Sequence, residues 1–132
     1  MNDVLIIDDC KIICNVIEGA LDAEGIKCTS CYSGEDAKKL ILENSYSSVF
    51  LDVNLPGANT VELASAIREK SFFTQIIIMS GNMEEDVFYQ FSSLGVNDFF
   101  IKNKLAITDL QRVVKYGLWR QGRLTGLFPD IQ

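Results

Sequence analysis

An α/β fold, in which a doubly wound sheet of five parallel strands carries helices on both faces, is predicted by three features of the sequence. Five short apolar runs alternate with stretches of helical periodicity. The runs are apolar at consecutive positions, the mark of strands covered on both faces rather than one. Five strand–helix units joined by right-handed crossovers wind into one layered sheet.

The first run is Val4-Leu5-Ile6-Ile7. Behind it Ile12, Ile13, Val16, Ile17, Ala20 and Leu21 recur at helical spacing as one buried stripe, and Gly25 closes that helix where a left-handed residue is cheap. A weaker run, Lys27–Cys31, is followed by Ser33 and Asp36, which cap a second helix with the stripe Ala37/Leu40/Ile41. Val49-Phe50-Leu51 leads to Asn59 and Glu62, the cap of a third helix with Leu63/Ala64/Ile67 inward. Ile76–Met79 is the fourth strand, followed by a helix with the stripe Val87/Phe91/Leu94 that ends at Gly95. Phe99-Phe100-Ile101 is the fifth. Thr108 and Gln111 then form a full capping box for the last helix, built around Leu110/Val114/Leu118.

Composition narrows the class. The 132 residues are 48% hydrophobic and 23% charged, with two prolines and nine glycines, so residues 1–121 are expected to form one globular domain and 122–132 a tail or the start of a linker. No apolar run approaches the roughly 20 residues a bilayer requires, and no basic segment precedes a leader-like apolar stretch, so a cytoplasmic location is expected. The net charge of −6 argues against nucleic-acid binding. It is uneven: residues 102–123 carry a net +5 against −11 elsewhere. The absence of histidine removes imidazole acid/base chemistry and histidine metal sites together. Four cysteines without a leader are expected to be free thiols, and Cys28 and Cys31, three apart on a strand, should face opposite sides of the sheet.

Function is written at the strand ends. Asp8-Asp9 follows the first apolar run, Asp52 the third, Ser80 the fourth and Lys102 the fifth, so four strands deliver polar groups to the edge where such sheets bind ligands. If the first and third strands are neighbours, three carboxylates crowd together. A hard divalent cation relieves their repulsion, and oxygen-only donors suit magnesium.

These residues, with Asp52-Val53-Asn54-Leu55-Pro56, Ser80-Gly81 and Asp98-Phe99-Phe100-Ile101-Lys102, resemble the receiver domain of a two-component response regulator of the chemotaxis-regulator type over residues 3 to about 121. The resemblance implies a flavodoxin-like (βα)5 fold with strand order 2-1-3-4-5. It implies that Asp52 is the phosphoacceptor, that Asp9, Asp52 and the backbone carbonyl of Asn54 hold magnesium with Asp8 acting through a water, and that Lys102 and Ser80 act on the phosphoryl oxygens. Phe99 is a switch aromatic on this reading or a plain core residue on the other. Such a domain catalyses only its own phosphoryl acceptance and hydrolysis. Its donor is a histidine kinase or histidine phosphotransfer protein, necessarily another protein since this chain has no histidine. Its output, to a downstream protein or a second copy, is expected through residues 83–120.

Two departures stand out. Asn103 occupies a place where the family usually has proline, so the loop carrying Lys102 either keeps a non-proline cis bond or is rearranged. Thr60 replaces a common glycine and is expected to alter the turn into the third helix. Two other classes compete: a receiver-like interaction module that takes no phosphate, opposed by the intact acids, and a flavin- or nucleotide-carrying enzyme, opposed by the lack of a glycine-rich phosphate loop.

Overall fold

The computed structural model describes residues 3–82 and 85–122. The elements are β1 (Val4–Ile7), α1 (Lys11–Asp22), β2 (Cys28–Cys31), α2 (Gly34–Glu43), β3 (Ser48–Asp52), α3 (Thr60–Lys70), β4 (Gln75–Ser80), α4 (Glu85–Ser92), β5 (Asp98–Ile101), a 3₁₀ turn (Lys102–Lys104) and α5 (Ile107–Arg120). The strands pair in parallel in the order β2-β1-β3-β4-β5. This is the doubly wound flavodoxin-like arrangement expected, with its reversal of winding between β1 and β3.

Alternation along each strand divides the core in two. Leu5, Ile7, Val49, Leu51, Ile76 and Ile78 pack with Ala37 and Ile41 of α2, Leu63, Ala64 and Ile67 of α3, and Phe91 of α4. Val4, Ile6, Phe50, Ile77 and Met79 pack on the opposite face with Cys14, Ile17 and Leu21 of α1 and Leu110, Val114 and Leu118 of α5. Cys31 lies in the first cluster and Cys28 against the second, so the pair is split across the sheet as expected. None of the four cysteines is in a disulfide, and burial pushes Cys14 up to about 11 and Cys28 and Cys31 up to about 12. Among the described residues no helix is long and apolar enough to cross a membrane.

The start and stop signals hold in part. Ser33 Oγ accepts from Asp36 N–H at 3.2 Å and Asn59 Oδ1 from Glu62 N–H at 3.1 Å, while Gly25 and Gly95 take φ of +73° and +72°. The capping box expected at Thr108 and Gln111 is absent. The helix begins at Ile107 with Ala106 as its cap residue, and no side chain caps it. Gln111 instead donates across the helix pair to the Ala20 carbonyl of α1 at 2.8 Å. The stripe on α1 also needs correction: Ile12 and Val16 are 73% and 41% exposed. Six apolar residues cover more of the helix than a sheet and one neighbouring helix can bury, and Cys14, Ile17, Ala20 and Leu21 take the inner face. The expected tail lies outside the described residues beyond Gly122, as does Arg123 of the basic stretch.

Two side-chain devices set helix positions. Arg68, near the end of α3, donates to the carbonyls of Ser71, Phe72 and Thr74 before β4 and to those of Leu94 and Gly95 after α4. On the other face Gly117 lets α5 lie against β3 and β4: a methyl there would sit 2.3 Å from Gln75 Nε2 and 3.2 Å from Ser48 Oγ. Gln75 cannot step aside freely, because its buried amide donates to Ser48 Oγ and to the Val113 carbonyl. The helix-propensity gain of Gly117→Ala, roughly 1 kcal/mol, is therefore outweighed by overpacking of about 1–3 kcal/mol. The variant should melt at a lower temperature in calorimetry, and an unchanged or higher melting temperature would contradict the close approach.

Candidate functional site

Parallel pairing of β1 with β3 sets Ile7 beside Leu51, so the next residues, Asp8 and Asp52, emerge side by side at the carboxyl edge. Both are buried, at 0% and 1% exposure, whereas Asp9 is exposed. One carboxylate oxygen from each of the three lies within 4.8 Å of the others.

Each buried carboxylate is held at both oxygens. Asp8 Oδ1 accepts the Cys10 N–H at 2.9 Å, and Asp52 Oδ1 accepts the Asn54 N–H at 3.0 Å. Lys102, the first residue after β5, sends Nζ to 2.8 Å from Asp8 Oδ2 and 3.0 Å from Asp52 Oδ2. Burial alone would pull this lysine down, but hydrogen bonds and charges from Asp8 and Asp52 outweigh it, and its pKa is raised above the usual 10.5. The loop that delivers it is rearranged rather than cis. Among the described residues every peptide is trans, and Lys102–Lys104 form the 3₁₀ turn without a proline.

The donor set fits a hard divalent cation. All candidate side-chain ligands are oxygens, one ammonium pairs with two of the three carboxylates, and the buried Asp8 Oδ2 has Lys102 as its partner. Asn54 meets Asp52 through its backbone N–H, and its side chain is exposed.

Ser80 and Phe99 stand apart from this cluster. Ser80 is buried at the end of β4, but its hydroxyl turns into the following loop, donating to the Asn82 carbonyl and accepting the Asn82 N–H. Phe99 is half-buried on β5. It packs against the core beneath α4, its ring 5.0 Å from that of Phe88, which in turn lies 5.9 Å from Tyr89. Phe88 and Tyr89 are both exposed on α4.

Thr60 belongs to the site although no strand ends there. Its hydroxyl donates to the Val53 carbonyl at 3.2 Å, across the loop that follows Asp52. The left-handed residue of this loop is Gly57, at φ +71°, so position 60 needs no glycine. The signal was local: capping by Asn59 makes Thr60 the first helical residue, with its side chain over the preceding loop.

Residues 4–115 match the response regulator receiver domain family. The transcriptional regulatory protein SrrA of Staphylococcus aureus is 29% identical over 101 residues, a match spanning 76% of this chain and 42% of that protein. Among solved structures, a two-component response regulator from Clostridium difficile superposes with a TM-score of 0.82 at 29% identity, covering 92% of this chain and 98% of that one. A CheY-like receiver domain protein from Methanospirillum hungatei superposes at 0.84 with 19% identity over 93% and 98%, a likeness of fold.

Proposed function

The chain belongs to the response regulator receiver domain family, whose members act as signalling switches, and on that footing we propose that it is switched by a phosphoryl group on Asp52. The observation that carries the reading is the convergence of Asp8, Asp9 and Asp52 with one lysine, Lys102, at the carboxyl edge. An Asp52 oxygen forms a bond to phosphorus while the bond from phosphorus to the donor breaks and its electron pair departs with the donor. No proton has to be removed from a carboxylate, so histidine is not needed. What the step does require is positioning and neutralisation of charge on the phosphoryl oxygens.

Lys102 already faces Asp52 Oδ2 and supplies part of that neutralisation. Asp9, Asp52 and the Asn54 carbonyl, with Asp8 acting through a water, would hold magnesium, which would supply the rest. Ser80 completes the site by releasing the Asn82 carbonyl and donating its hydroxyl to a phosphoryl oxygen. Attack of water on phosphorus later frees inorganic phosphate and restores the carboxylate. The donor we assign is a cytoplasmic histidine kinase or histidine phosphotransfer protein.

The output face is assigned to residues 83–120, of which 83 and 84 lie outside the described residues. Phe99 links that face to the strand ends through its ring contact with exposed Phe88. Arg112 and Arg120 on α5 are exposed and suit an acidic partner or a second copy.

Asp9 offers the test. As the exposed carboxylate it can be removed without opening the core, and loss of a ligand should weaken metal affinity about tenfold or more. Asp9→Ala should therefore be labelled slowly by a small acyl phosphate, with the magnesium midpoint moved to higher concentration. Labelling at the unaltered rate and midpoint would contradict the metal assignment.

A further inference from the structure

We propose that Thr60 is a positioning residue for the acceptor, acting on Asp52 through a single peptide group. The hydroxyl of Thr60 donates to the Val53 carbonyl at 3.2 Å, and the N–H on the other end of that same peptide, Asn54 N–H, donates to Asp52 Oδ1 at 3.0 Å. Val53 is itself fixed to β4 by its N–H on the Met79 carbonyl at 3.0 Å. Thr60 is buried, so this bond faces little competition from water.

The consequence lies in the carboxylate. Asp52 Oδ2 has Lys102 as its partner and Oδ1 has the Asn54 N–H, so the two oxygens are distinguished and rotation of the carboxylate is restrained. A hydrogen bond accepted by the Val53 carbonyl polarises the peptide and strengthens its N–H as a donor. The same peptide sets the direction in which the next carbonyl, that of Asn54, leaves the loop. Glycine at position 60 could do none of this. Holding an attacking oxygen in one orientation is a direct contribution to phosphoryl transfer, in which positioning supplies much of the acceleration.

The inference rests on Asp52 being the acceptor, and its test separates the two. Thr60→Val keeps the shape and removes the hydroxyl, whereas Thr60→Ser keeps the hydroxyl. Labelling by acetyl phosphate at saturating magnesium is measured for each, together with melting temperature and the nuclear magnetic resonance signal of the Asn54 amide proton. Thr60→Val should be slowed about fivefold, the equivalent of one neutral hydrogen bond, with Thr60→Ser within about twofold of the unaltered protein. The Asn54 proton should shift upfield and exchange faster in Thr60→Val alone. A Thr60→Val protein labelled at the full rate, equal slowing of both variants, or an unmoved Asn54 proton would overturn the proposal. If Thr60→Val does not fold, Thr60→Ala removes the same hydroxyl and is read in the same way. Failure of the unaltered protein to be labelled on Asp52 would sink the phosphorylation reading instead, and the Asn54 proton would still decide whether the hydroxyl acts on that peptide.

Discussion

Asp52→Asn is expected to take up no phosphate from a small acyl phosphate in magnesium, while keeping the fold. The amide replaces the carboxylate with a group of the same shape that is not a nucleophile, and Asp52 combines burial and a lysine partner with an orienting backbone donor from the loop that leads into α3. Asp8 is the nearest rival, being equally buried and also paired with Lys102. It is set apart by its neighbours, since its Oδ1 is held by the Cys10 N–H beside α1 rather than by the loop that begins α3. Intact-mass measurement and peptide mapping decide the matter. Undiminished phosphate on Asp52→Asn, or phosphate mapped to Asp8 or Asp9 in the unaltered protein, would refute the assignment. Removing one of three crowded carboxylates should also leave the melting temperature in a chelator unchanged or raised, because Lys102 retains Asp8 as a partner.

Lys102→Met is expected to have the largest effect on stability. The lysine is the cation paired with two carboxylates that are almost wholly removed from water, and its own side chain is only 21% exposed. Deleting one member of a buried charge cluster strands the others and costs about 3 kcal/mol or more, because the desolvation already incurred is no longer compensated. In a domain of this size that lowers the melting temperature on the order of 10 °C. Magnesium should restore part of the loss, since a ligand bound only by the folded state stabilises it by mass action. A pH dependence accompanies the effect. Lys102 titrates above its usual 10.5 in the folded protein, so its contribution is complete below that value and is lost as the pH climbs through the raised one. Unfolding with and without chelator checks both statements. A Lys102→Met protein as stable as the unaltered one in the chelator would show that the ammonium is not holding the acids together.

The strand ends could be read from sequence because the reading depends on order alone. A parallel sheet brings the residue after each apolar run to one edge whatever the loops do, and Asp8, Asp52 and Lys102 meet there for that reason. Interactions that depend on which partner wins were not legible. Gln111 has the right spacing to cap its own helix, yet a carbonyl on the neighbouring α1 is within reach of its amide. Ile12 and Val16 have the right spacing for burial, yet α1 can turn only one face to the sheet. Thr60 stands at a position best known for a residue without a side chain. Its use of the hydroxyl emerges only when the β3–α3 loop has folded beneath it.

Arg68 has a mechanical consequence. Its guanidinium fastens the chain just after α4, at Leu94 and Gly95, to the end of α3 and the entrance of β4. The opposite end of α4 begins five residues beyond Ser80. On the switch proposed above, a pull arriving through Ser80 on a helix pinned at its far end should tilt that helix about the pin and move its last turn least. Phe88, in that moving half, leans on Phe99, so the two rings should slide across each other rather than part. A displaced helix that carried Leu94 away from Arg68 would show that the pin does not hold.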